Sequence, residues 1–94
     1  MAASFEWDPR KAADNYAKHG VSFDEASTVF ADPLGGLVDD PRHSKGEERF
    51  VMIGSSRNSG LLAVMFTVRE ERIRITSARR VTRAERKAYE ENPR

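Results

Sequence analysis

The chain has 94 residues, 38% of them hydrophobic and 33% charged, with 16 Lys and Arg against 15 Asp and Glu and no cysteine. That length suits a single domain, residues 1–94, able to bury a core unaided, and the lack of cysteine excludes disulfides and thiolate metal sites. No apolar run approaches a membrane span and the N-terminus lacks a basic-then-apolar signal, so a cytoplasmic protein without membrane attachment is expected.

Phe5-Glu6-Trp7 alternates apolar and polar side chains and reads as a short first strand. Asp8-Pro9 then starts a helix, an N-cap acceptor followed by proline at the first helical position. That helix is expected over 9–19, through Ala12, Ala13, Tyr16 and Ala17, with Gly20 as its left-handed cap. Ser22-Phe23-Asp24-Glu25 has the form of a capping box, with Val21 and Ala26 placed to staple it. Phe23, Ala26 and Phe30 share one face of a second helix over 23–31, which Asp32-Pro33 ends.

Residues 34–38 form a weak strand, loosened by Gly35 and Gly36. A polar loop covers 39–48. Residues 49–55 read as a strand, Arg57-Asn58-Ser59-Gly60 as a turn, and 61–69, the most apolar run, as a central strand. Glu70-Glu71 links it tightly to a strand over 72–80, and a closing helix runs from Thr82 to Glu91. Three successive strands with short links make an antiparallel meander. The order β-α-α-β-β-β-β-α predicts an α+β fold, a small antiparallel sheet packed with helices.

Charge is not spread evenly along this order. Residues 1–68 carry 10 acidic and 7 basic side chains, whereas residues 69–94 carry 9 basic and 5 acidic. Between Arg72 and Lys87 the chain sets Arg72, Arg74, Arg79, Arg80, Arg83, Arg86 and Lys87 against Glu85 alone. Such a corner suits phosphate or an acidic partner, and it equally suits a solvated face. Strand alternation groups Arg72, Arg74 and Arg80 with Thr76 and Ala78, and Ile73 and Ile75 with Ser77 and Arg79. Arg79 therefore falls on the core side of the strand end, unless a bulge re-aims it. There it can be an ion-pair partner or an active-site cation. Arg69 ends the central strand near the same cluster.

Arginine does not readily exchange a proton, so acid–base chemistry needs another group. His19 and His43 are the two histidines. His19 follows Lys18 at the end of the first helix, where histidine serves either as a terminal cation or as a proton-transfer group. His43 lies in the polar loop, and Glu47, Glu48 and Tyr89 are the other titratable groups near strands or the last helix. No Ser-His-Asp order, metal-ligand spacing or Gly-rich phosphate loop is present, so neither cofactor nor metal is expected.

Several short motifs are more specific in combination. Phe5-Glu6-Trp7-Asp8, Asn15, Lys18-His19-Gly20, Phe23, Glu25-Ala26 and Phe30-Ala31-Asp32-Pro33 come first. Gly46-Glu47-Glu48-Arg49, Ile53-Gly54, Thr67, Arg69, Arg74-Ile75 and Ser77-Ala78-Arg79 follow, then Glu85-Arg86 and Tyr89-Glu90. Over residues 5–91 the chain resembles the BrnT toxin family. The resemblance implies a RelE-like ribonuclease fold and an RNA-cleaving inhibitor of translation from a type II toxin–antitoxin pair. Its implied partner is a BrnA-like ribbon-helix-helix antitoxin in a two-plus-two complex. That complex would reach DNA through the antitoxin and repress its own operon. By position the resemblance offers His19, Lys18, Arg69 and Arg79 as catalytic residues of a metal-independent endoribonuclease. Arg72, Arg74, Arg80 and Tyr89 follow as RNA-binding residues. The alternative is a non-catalytic module that uses the same basic corner to bind an antitoxin and, through it, DNA.

Overall fold

The computed structural model describes residues 4–39 and 48–91. The loop residues His43 and Glu47 lie outside the described residues. The elements are β1 (Phe5–Glu6), α1 (Pro9–His19), α2 (Phe23–Ser27) continuing as a 3-10 turn (Thr28–Ala31), β2 (Gly36–Asp39), β3 (Phe50–Ser55), β4 (Leu61–Arg69), β5 (Arg72–Arg80) and α3 (Arg83–Glu91). The sheet order is β1-β5-β4-β3-β2. Strands β2 to β5 form the antiparallel meander, with β4 in the centre. One feature departs from an all-antiparallel sheet: β1 adds to β5 in parallel, Phe5 beside Ile73 and Glu6 beside Arg74.

The local signals act where the sequence puts them. The Asp8 carboxylate accepts from the Arg10 N–H at 2.8 Å, and Gly20, at φ +70°, donates its N–H to the Tyr16 carbonyl at 2.8 Å. Ser22 Oγ accepts from the Glu25 N–H at 3.0 Å. The return half of that box is not made, because the Glu25 carboxylate instead accepts from the Asn58 N–H across the molecule. Helix α1 buries a different face from the one its apolar residues suggest. Ala12 packs on the core, Tyr16 is 60% exposed, and the buried residue is Asn15.

The sheet has two covered faces. Val21, Phe23, Ala26, Val29, Leu62, Val64, Ile75 and Ala78 form the larger core, beneath α1, α2 and the 3-10 turn. Phe30 extends it, meeting Phe66 edge-to-face with ring centroids 5.0 Å apart. Gly54 lets the 3-10 turn close on β3, since a Cβ there would stand 2.9 Å from Val29 Cγ1. On the other face Val51, Ile53, Ala63 and Met65 pack with Val81 and Tyr89 of the closing segment. Among the described residues no helix is long and apolar enough to cross a membrane.

A bulge in β5 changes which arginines share a face. Met65 pairs with Ser77 and Phe66 with Ile75, so Thr76 has no partner on β4. Its hydroxyl donates to the Met65 carbonyl at 3.2 Å. The extra residue shifts the alternation by one position. Ile75 and Ala78, three residues apart, consequently both enter the larger core. This corrects the simple parity expected from the sequence. Arg79 shares the α3 face with Arg72 and Arg74, and Arg80 turns to the other face.

Candidate functional site

An open cleft of about 330 Å³ lies between α1 and the sheet. It is lined by Lys11, Asp14, Asn15, Lys18 and His19 from α1, Arg49 ahead of β3, Met65 of β4, and Thr76 and Ser77 of β5. The cleft exists because β1 covers the outer edge of β5 only as far as Arg74. Beyond that point the edge is served by Asn15. Its Nδ2 donates to the Ala78 carbonyl at 2.9 Å and to the Val21 carbonyl at 3.0 Å. Its Oδ1 accepts from the Ala78 N–H at 3.1 Å and from Ser77 Oγ at 3.2 Å. The side-chain amide thus stands in for one rung of a strand ladder and seats α1 against β5.

The lining is cationic. Three cationic side chains, Lys11, Lys18 and Arg49, line it with one carboxylate, Asp14, the His19 imidazole, and Thr76 and Ser77. Two predicted residues, Lys18 and His19, are therefore brought together here. Two more belong here that the sequence reading passed over. Lys11, Asp14, Asn15 and Lys18 recur at the spacing of one helical face, a polar stripe that could have located Lys11. Arg49 precedes Val51 and Ile53 on the alternation of β3, which puts all three on the α3 face. Among the described residues no group of three or more His, Asp or Glu is placed to hold a metal ion.

The other predicted residues stand outside this cleft, and most are engaged. Arg79 makes a fork-to-fork pair with Glu85, Nη1 to Oε1 at 2.8 Å and Nη2 to Oε2 at 2.9 Å. Glu85 also closes a reciprocal capping box: its carboxylate accepts from the Thr82 N–H at 2.9 Å, and Thr82 Oγ1 accepts from the Glu85 N–H at 3.1 Å. Arg79 therefore ties β5 to the start of α3. The Thr82-x-x-Glu85 spacing was the available sequence signal for this arrangement. Arg74 and Arg72 both reach Glu6 of β1, at 3.0 and 3.5 Å. Their positive charge holds the Glu6 carboxyl below its ordinary value, Arg74 contributing most. Arg80 donates to the Ser59 carbonyl at 2.9 Å, and the Tyr89 hydroxyl donates to Asp32 at 2.6 Å. The Tyr89 ring is half-buried on the sheet. Arg69 sits opposite Arg72, at the far end of the β4–β5 hairpin from Arg79. Roughly 20 Å of strand separates those two arginines, so they do not converge on one phosphate.

The Arg79–Glu85 pair has a consequence for acid stability. Hydrogen bonding to Arg79, reinforced by the Thr82 N–H, holds the Glu85 carboxyl at about 2 instead of 4.5. A depressed carboxyl contributes stability that is complete above pH about 4.5 and is lost as pH falls toward about 2. Glu85→Gln should therefore remove part of the fall in the urea midpoint between pH 5 and 2. An unchanged pH profile in that variant would mean the pair adds nothing to the fold.

Comparison with known proteins agrees with this architecture. Residues 7–85 match the model of a family described as the ribonuclease toxin, BrnT, of type II toxin-antitoxin systems. No curated protein matches the chain. The crystal structure of the Brucella abortus ribonuclease toxin, BrnT, superposes with a TM-score of 0.62 at 22% identity, covering 87% of this chain and 100% of that one. At that identity the superposition bears on the fold, and it is the same α+β arrangement.

Proposed function

Because this chain belongs to the BrnT family of type II ribonuclease toxins, we propose that it cleaves RNA in the cleft between α1 and the sheet. The observation that carries the assignment to this cleft is its lining: His19, Lys11, Lys18 and Arg49 all line one open cleft of about 330 Å³. In this reading the 2′-hydroxyl attacks the adjacent phosphorus, the P–O5′ bond breaks, and a 2′,3′-cyclic phosphate and a 5′-hydroxyl result. The His19 imidazole takes the 2′ proton, and solvent returns one to the departing 5′ oxygen. Lys18 supports the charge that builds on the phosphate. Arg79 and Arg69 are not assigned to that phosphate, because one is clasped by Glu85 and the other lies at the far end of the hairpin.

The wider reading is that this cleavage stops translation in the cytoplasm. A BrnA-like ribbon-helix-helix antitoxin, in a two-plus-two complex, neutralises the toxin and directs the pair to its own operator. The reaction is metal-independent in this scheme. What supports that is the chemistry of the cleft, whose lining has three cationic side chains to one carboxylate and can neutralise phosphate charge itself.

Purified protein and a defined RNA test the reading. Cleavage should persist in EDTA and leave a 5′-hydroxyl. A single deoxyribose at the cut site should block it without abolishing binding, because DNA lacks the attacking group. Loss of cleavage in EDTA with recovery in magnesium would overturn the metal-free scheme. Cleavage through the deoxyribose would overturn the 2′-hydroxyl attack.

A further inference from the structure

We infer that Arg49 is the side chain that grips the phosphate undergoing cleavage, a binding role that rests on the ribonuclease reading of the cleft. Arginine suits this task because its planar fork matches two phosphate oxygens. The question is which arginine has its fork available. Arg72 and Arg74 are occupied by Glu6, Arg79 by Glu85, and Arg80 by the Ser59 carbonyl. Arg49 differs from all of these. It is half-buried in the cleft wall, and among the described residues no carboxylate pairs with it. Its Nε is fully buried and has no hydrogen-bond partner.

A buried guanidinium nitrogen without an acceptor is uncommon, because the lost hydration is not replaced. A second unpartnered group lies beside it. Extending the β3–β4 register by one rung past Phe50 and Phe66 sets Arg49 across from Thr67. Thr67 is 2% exposed, and its Oγ1 also lacks a partner. Two unpartnered polar groups on one rung, next to a cleft already carrying Lys11 and Lys18, suit an anionic ligand. The chemistry on offer, a fork with two flanking ammonium groups, fits a phosphodiester.

The test uses a mixed-sequence oligodeoxynucleotide, which cannot undergo 2′-hydroxyl attack, and the parent protein. On titration at low salt the Arg49 Nε–H resonance should move and saturate with the binding curve. Arg49→Met, which keeps the apolar stem, should bind about tenfold more weakly, with a salt slope smaller by about 0.7. The same variant should cleave RNA about 10²–10³-fold more slowly, and Arg49→Lys should recover part of the loss. Arg57→Ala, an exposed site outside the cleft, serves as the control with unchanged binding. If Arg49→Met binds and cleaves like the parent, the inference falls while the ribonuclease reading stands. If the parent binds through Arg49 but never cleaves RNA, the ribonuclease reading falls and the phosphate site stands. Should Arg49→Met fail to fold, the resonance titration of the parent decides. An unmoved Nε–H at saturation overturns the inference.

Discussion

His19→Ala should slow RNA cleavage by about 10²–10⁴-fold, the usual loss when a positioned proton-transfer group is removed. RNA affinity should change little, since phosphate binding in this scheme rests on the neighbouring Lys11, Lys18 and Arg49. The variant is a fair test because His19 is dispensable to the helix end. The cap of α1 is made by backbone, the Gly20 N–H donating to the Tyr16 carbonyl at 2.8 Å with Gly20 at φ +70°. Circular dichroism should therefore be unchanged. Single-turnover cleavage measured against affinity for a deoxy-substituted RNA separates chemistry from binding. A variant as fast as the parent would leave His19 as no more than the last residue of α1. An equal loss in rate and affinity would make it a binding residue.

Asn15→Leu should cost the fold about 3–5 kcal/mol. The substitution keeps the volume roughly constant and removes both ends of the amide. The Ala78 N–H, the Ala78 carbonyl and the Val21 carbonyl each lose a partner, in a site that is only 7% exposed. Each such orphan costs about 1–3 kcal/mol, which exceeds anything the leucine side chain gains by burial. Asn15→Asp is the sharper companion. It keeps the two accepting contacts, loses both donations and sets a carboxylate against two carbonyl oxygens. Its penalty should approach that of leucine at neutral pH. Urea unfolding with an unchanged slope reads the loss as a midpoint shift. A loss below about 1 kcal/mol in both variants would mean that water replaces the amide on the β5 edge. Because Asn15 also seats the helix that carries Lys18 and His19, any folded fraction should cleave RNA more slowly than the parent.

The element order and the helix boundaries were legible in the sequence because their causes are local. Asp8-Pro9 and Gly20 bracket α1, Ser22 caps α2, apolar runs mark β3 and β4, and alternation marks β5, all through features within a few residues. The family resemblance likewise rests on short motifs in order. Lys18 and His19 were legible for the same reason, being adjacent at a helix end. The rest depended on partners far apart in the chain. A count of charges along 69–94 cannot say that Glu85 occupies Arg79 or that Glu6 occupies Arg72 and Arg74. It also cannot say that Arg49, just ahead of β3, has no carboxylate partner among the described residues and a buried, unpartnered Nε. The extra residue at Thr76 turns the end of β5 over, because a bulge is set by pairing with β4 and not by the alternation of β5 itself. Tertiary pairing thereby settled which cations are occupied and which face the cleft, since the energy of a buried charge depends on what the fold places beside it.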